Sequence, residues 1–312
     1  MTSQQYDTTV AERAVDAIEH AKGRFPGYRR AHARGTCYTA TFTPSGDALP
    51  LTAAAHLTDV PVPATVRFSH SDTNPHLPDA GTSSRGFAVK FHLPDGHHTD
   101  LVSVNLPVFF ASSAESFIEF TEATTRDPVT GQPDQTRLAA YLQRHPEAAP
   151  CLQAAATQPT PASYATAAYW AIHAFVWVNG SGARQAIRYH WIPEAGIENV
   201  TPEAAETWTA EQLTGELVER LANGPVAFRL EVQLAEPGDI TGDPTREWPP
   251  DRPRIAVGTL TITAPVDDQD HWERQVFDPT TVTDGIELSD DPILAGRRHF
   301  YTVSYNRRSS ER

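Results

Sequence analysis

The sequence predicts an α+β fold, an eight-stranded antiparallel β-barrel with surrounding and C-terminal helices. Three observations point there. Short runs of β-forming residues fall into two groups of four. Helical patterns lie before, between and after those groups. Hairpin-type turn signals join neighbouring runs within each group.

The first element is helical. Val10, Ala14, Ala17, Ile18 and Ala21 recur at helical spacing, and Gly23 is placed to stop the helix. Strands are expected at residues 36–42, 65–68, 86–91 and 101–105, each short and bounded by Gly, Pro or Asp. Asp95-Gly96 reads as a hairpin turn between the last two. Residues 113–124 and 133–144 carry good helix formers, with Ser113 or Ser112 as a cap for the first.

After a link at Pro159 and Pro161 come the second four strands, at residues 174–178, 186–191, 227–234 and 255–263. Asn179-Gly180 and Ser181-Gly182 form a loop between the first two. Residues 204–223 read as one or two helices ending at Gly224, and the Pro- and Asp-rich stretch 237–253 as a surface loop. The last segment, 292–308, holds a basic and aromatic run. The reading is one domain over residues 1–312, with an N-terminal helical segment at 1–26.

Composition narrows the function classes. A hydrophobic fraction of 39% and a charged fraction of 21% describe an ordinary globular chain. A formal charge of -14 repels phosphate backbones, so nucleic acid is not an expected partner. No apolar run approaches the ~20 residues of a membrane span. Residues 1–9 are polar and lack the apolar core of a secretory signal. With only Cys37 and Cys151 there is no disulfide framework and no zinc-type spacing. A cytoplasmic location is the expectation.

Two side chains suggest chemistry. His32 sits in Arg29-Arg30-Ala31-His32-Ala33-Arg34-Gly35, just before a strand. Like charges disfavour imidazolium, and a neutral imidazole can act as a general base. Tyr301 lies four residues after Arg297, on the same face of a helix. An Arg beside a phenol favours phenolate, a competent ligand for ferric iron. Taken singly, each reads as well as a loop histidine or a surface Tyr–Arg contact.

Their company changes the weighing. Arg29-x-x-His32-Ala33-Arg34-Gly35 resembles the distal histidine motif of catalases. Arg67-Phe68-Ser69 and Arg85-Gly86-Phe87-Ala88-Val89-Lys90-Phe91 match that family's next two segments. Asp100-Leu101-Val102, Pro107-Val108-Phe109-Phe110, Gly196-Ile197-Glu198-Asn199, Phe277-Asp278-Pro279 and Gly285-Ile286-Glu287 follow in order. Leu294-Ala295-Gly296-Arg297-x-x-x-Tyr301 resembles the proximal motif. The chain resembles the short, catalase-related peroxidases of the catalase superfamily.

The resemblance implies one haem b buried against the barrel, with tyrosinate as the iron ligand. Tyr301 matches that ligand and Arg297 the arginine that keeps it ionised. His32 matches the distal acid/base, and Ser69 the serine that fixes its tautomer. Arg29, Arg67 and Arg308 match the arginines that pair with the propionates. Phe117 matches the phenylalanine stacked over the haem.

One departure bears on the reaction. Where catalases have Gly-Asn-Asn-x-Pro, this chain has Ser103-Val104-Asn105-Leu106-Pro107. Val104 falls on the distal asparagine, and Asn105 replaces it only if a bulge shifts the register.

The implied activity is a haem peroxidase. It reduces hydrogen peroxide or organic hydroperoxides through a ferryl intermediate with an organic electron donor, and has weak catalase activity. The alternatives are an allene-oxide-synthase-like rearrangement and a non-catalytic haem-binding barrel. The identity of peroxide and donor stays open, as does assembly into a homo-oligomer.

Overall fold

The structure is a computed structural model that describes residues 8–81, 84–127 and 130–312. The first part of the expected N-terminal segment, residues 1–7, lies outside the described residues. The strands are β1 (Gly35–Pro44), β2 (Val62–His70), β3 (Arg85–His92), β4 (His98–Val104), β5 (Thr160–Pro161), β6 (Tyr169–Trp170), β7 (Phe175–Val178), β8 (Arg184–Pro193), β9 (Asn199–Val200), β10 (Val226–Leu234), β11 (Arg254–Pro265) and β12 (Ile286–Leu288). The α-helices are α1 (Thr8–Lys22), α2 (Ala114–Ala123), α3 (Gln135–Arg144), α4 (Ala149–Thr157), α5 (Pro202–Ala205), α6 (Gln212–Asn223), α7 (Gln269–Arg274) and α8 (Pro292–Ser310).

The large sheet closes on itself. Its order runs β10-β11-β1-β2-β3-β4-β6-β8, and β8 pairs back onto β10. All these pairings are antiparallel. The eight expected strands are all present. Closure itself differs from the expected eight in one respect. Between β4 and β8 the ring is completed by the two-residue β6. The expected strand at 174–178 is β7, which pairs further along β8 and carries β12 on its outer side.

Alternation decides what faces where. On β3, Phe87, Val89 and Phe91 point into the barrel and join its core. Phe87 packs there against Phe68, Tyr169, Trp191 and Phe228. The alternate residues Gly86, Ala88 and Lys90 face outward, toward the helices. On β10, Val226, Phe228, Leu230 and Val232 are buried in the same way.

The helices start where the sequence provides caps. Ser113 caps α2 in a reciprocal capping box with Ser116, and Asp134 caps α3. Asp291 caps α8 by accepting from the amides of Ile293 (2.8 Å) and Leu294 (3.2 Å). The pattern at 204–223 is split into α5 and α6, and α6 ends at Gly224 with φ +152°. The stretch 237–253 carries no helix or strand, but Trp248 anchors it. Its indole is buried, donates to the Ile240 carbonyl and lies under Arg188.

Candidate active site

A row of residues crosses the outer face of the barrel: Gly35 on β1, Ser69 on β2, Gly86 on β3 and Val104 on β4 are directly opposite one another. Opposed residues on neighbouring strands share a face. His32 lies over this row, its Nδ1 3.0 Å from Ser69 Oγ. Gly86 makes that possible. A Cβ there would lie 2.6 Å from both His32 Nδ1 and Ser69 Oγ. His32 itself has φ +53°, the only positive φ of a non-glycine among the described residues. Such a backbone is held by its surroundings at some cost, a pattern concentrated at functional sites.

Burial, and then the Arg67 guanidinium, pushes the His32 imidazole down to about 3. The sequence predicts the direction but credits the neighbouring arginines in the chain. Two of those turn away. Arg30 pairs with Glu19 and Glu311, both at 2.6 Å, and Arg34 pairs with Asp79 at 2.7 Å.

Val104 shares the face of Ser69, as the gapless register requires. It packs on Leu106, Val108 and Cys151 with Phe110 beside it, so this wall is apolar. Asn105, the next residue, is tied to the neighbouring strand. Its side-chain oxygen accepts from the Arg85 amide at 2.6 Å, and its own amide donates to the Arg85 carbonyl at 3.0 Å. Its carboxamide oxygen is committed to the β3–β4 edge.

Tyr301 lies on α8, and Arg297 one turn earlier donates to its hydroxyl from Nε at 3.1 Å and from a terminal nitrogen at 2.5 Å. Arg297 also acts on the charge of His32, so the two halves of the site lie near each other. Sequence reasoning missed what stands behind this pair. His173 Nε2 takes a hydrogen bond from Arg297 at 2.9 Å, and its Nδ1 is 2.6 Å from Asp291. Both residues are buried. Burial lowers the His173 pKa even though Asp291 opposes it. The partners then assign a neutral ring with the proton on Nδ1. A run Asp291–His173–Arg297–Tyr301 results. Its one sequence signal is an Asp before the Pro that opens α8, a helix cap by any local reading.

Arg29, Arg67 and Arg308 come together on a single stretch at the end of α7. Arg29 pairs with Glu273 and donates to the Gln275 carbonyl at 2.8 Å. Arg67 donates to Glu273 at 2.8 Å and to the His32 carbonyl at 3.1 Å. Arg308 donates to the carbonyls of Glu273, Arg274 and Gln275. Gly35 leaves room, since a Cβ there would meet Arg67 at 2.5 Å. Burial raises the Glu273 carboxyl, but Arg67 and Arg29 outweigh it and hold it at about 2. Three guanidiniums and one carboxylate leave a surplus of two positive charges. That surplus suits a ligand with two carboxylates.

Phe117 on α2 supplies a flat surface. Its ring is nearly parallel to those of Phe109 (15°) and Phe300 (16°), with centroids 6.3 and 6.2 Å away. The donor set is therefore a phenol oriented by arginine, a neutral imidazole, a surplus of two positive charges and parallel aromatic rings. Haem, a flat iron chelate with two propionates, fits it.

Comparison with known proteins agrees with this geometry. The family model Catalase matches residues 11–311. A catalase-related peroxidase of Mycolicibacterium paratuberculosis is 41% identical over 96% of this chain and 94% of its own length. One of Synechococcus elongatus is 32% identical over 96% and 88%. Among solved structures, a fungal catalase superposes with a TM-score of 0.81 at 25% identity, covering 91% of this chain and 60% of that one. Catalase A of Saccharomyces cerevisiae gives 0.82 at 24%, covering 94% and 64%. The chain thus spans about three fifths of those two larger proteins. With the family model matching almost the full length and relatives 41% and 32% identical over 96% of it, the chain belongs to the catalase family of oxidoreductases acting on peroxide.

Proposed function

We propose that this protein is a haem b peroxidase that reduces hydrogen peroxide or organic hydroperoxides with an organic electron donor, and that its catalase activity is weak. Bound here, haem would supply a redox-active iron that takes up the oxidising equivalents of the peroxide. Tyr301 would hold the iron, with Arg297 donating to its oxygen. Arg29, Arg67 and Arg308 would hold the propionates, and Phe117 would cover one face of the ring.

The distal chemistry is a proton transfer within one side chain's reach. With Nδ1–H directed to Ser69, Nε2 of His32 carries the lone pair. It takes the proton from one peroxide oxygen and returns it to the other, which leaves as water or as an alcohol. A folded-state pKa of about 3 keeps the ring ready to accept at neutral pH. The balance is one peroxide, two electrons and two protons to two waters, or to water and an alcohol.

The observation that carries the choice of peroxidase is the apolar wall at Val104. A catalase must orient hydrogen peroxide twice, and a valine offers no hydrogen bond for it. A donor aimed at a reacting oxygen is worth about 3 kcal/mol in a transition state. Oxidation of a one-electron donor does not need that amide. The test compares oxygen release from hydrogen peroxide with donor oxidation by the haem-loaded protein. Donor oxidation should dominate. Rapid oxygen release with little donor oxidation would overturn the reading.

A further inference from the structure

A pocket of about 650 Å³ opens beside Tyr301. Of the residues assigned to the haem, only Tyr301 lines it. Its barrel wall includes Lys90, which lies four residues along β3 from Gly86, the residue under His32. At ~3.3 Å per residue that is about 13 Å farther along the strand. The pocket therefore lies on the tyrosine side, farther along the barrel wall than the row of Ser69 and Val104.

Its charge runs against the rest of the molecule. The chain carries a formal charge of -14, yet Lys90, Arg274 and Arg298 line the pocket against one carboxylate, Asp278, with His98, its pKa lowered mainly by burial, beside them as a neutral ring. Lys90 is already neutralised by Asp100 at 2.7 Å. Arg298 is more than half exposed, with Asp278 at 3.7 Å, a loose pairing. Arg274 is exposed and makes no side-chain hydrogen bond or ion pair among the described residues. The rings of Tyr301 and Tyr305 line the same space, one helical turn apart on α8. Guanidiniums grip carboxylates bidentately, and aromatic walls take flat rings.

We propose that this pocket is the electron-donor site and that it selects small phenols carrying a carboxylate or sulfonate. The inference rests on the peroxidase reading above. The anionic group sits against Arg274 and Arg298, and the phenol ring lies along Tyr305 toward Tyr301. Each phenol gives up one electron and its proton, so two phenols are consumed per peroxide, which becomes two waters or water and an alcohol. Where cations outnumber carboxylates locally, as Arg274 and Arg298 do Asp278, local attraction outweighs the opposite net charge of the whole molecule, because screening confines each charge to about 8 Å.

The test uses haem-loaded protein, wild type and the double variant Arg274→Gln/Arg298→Gln, with 4-hydroxybenzoate and its neutral analogue 4-hydroxybenzamide. The ratio of kcat/KM for the anion to that for the amide should fall at least fivefold in the variant. Relaxation of the 4-hydroxybenzoate protons by the ferric iron should saturate in wild type and weaken in the variant. A ratio that stays within twofold, with equal relaxation of both probes, overturns the proposal. If neither phenol is oxidised while the anion still binds in an arginine-dependent way, the peroxidase reading fails and the anion site stands. A charge-reversed pair, Arg274→Glu/Arg298→Glu, should depress the anion ratio further, and equal ratios in both double variants would count against a charge contact.

Discussion

The two sides of the site are built by opposite means. Behind Tyr301 stand Arg297, His173 and Asp291, buried or half-buried, each hydrogen-bonded to the next. Opposite, the His32 ring has one side-chain partner among the described residues, Ser69, and an apolar wall that includes Val104. The difference follows from what each side must hold. In the proposed reading the Tyr301 oxygen would hold iron, and a chain of donors ending in a carboxylate orients it. A base that picks up and releases one proton must stay neutral, and burial, helped by the nearby Arg67 guanidinium, secures that.

The largest expected effect is on the charged side. Tyr301→Phe removes the oxygen proposed to hold the iron, and haem retention should be abolished or nearly so in a reconstitution titration. Full loading with an unchanged high-spin spectrum would break the assignment. Next comes His32→Ala, which should keep haem but slow peroxide activation by roughly 10²–10⁴-fold in stopped-flow measurements. A wild-type rate in that variant would mean that the neutral side has another base.

Asp291→Asn separates the relay from the helix cap, because Asn caps as well as Asp. Groups behind a metal ligand typically matter by about 10–100-fold in affinity. Transfer of haem to a scavenging apoprotein should accelerate by that order while the barrel's circular dichroism is retained. Unchanged transfer would reduce Asp291 to a cap.

Val104→Asn should raise oxygen release from hydrogen peroxide about two- to tenfold, the worth of one added hydrogen bond. No change, with the variant folded and loaded, would show that the apolar wall does not set the reaction.

The smallest effect on turnover is that of pH. His32, with His56 and His190, is held at about 3 in the folded protein, mainly by burial. Between about pH 3 and 6.5 the unfolded chain binds more protons than the folded one. Stability is therefore complete above pH 6.5 and is lost as the pH falls, by up to about 1.4 kcal/mol per unit for each histidine. Peroxide activation should stay flat from pH 5 to 8 while the urea midpoint drops toward pH 4. A titration of the rate near pH 6.5 would contradict a buried neutral His32.

The barrel was legible in the sequence because its signals are local. Alternation in β3 and β10 and the turns at Gly96 and Gly182 need only neighbours along the chain. The candidate site residues were named from motif order, which runs the length of the chain. Closure through β6 was not, since two residues make no pattern. Helices α4 and α7 were missed as well. The first is short and the second only six residues long. Nor was the His173–Asp291 contact legible, as 118 residues separate its partners. Glu273 escaped for the same reason. It ends a short helix, and only the arrival of Arg29 and Arg67 from distant segments gives it a role.

Asp291 serves two structures with its two oxygens. One fastens the first turn of α8, and the other holds His173. For anyone wishing to graft this candidate site onto another scaffold, that sharing sets the smallest unit that can be moved. Helix α8 alone would carry Tyr301 and Arg297, but His173 comes from the break between β6 and β7, and the helix start is itself part of the site. The transplantable module is a helix together with a piece of barrel wall, and cutting between them removes the support on which the tyrosine depends.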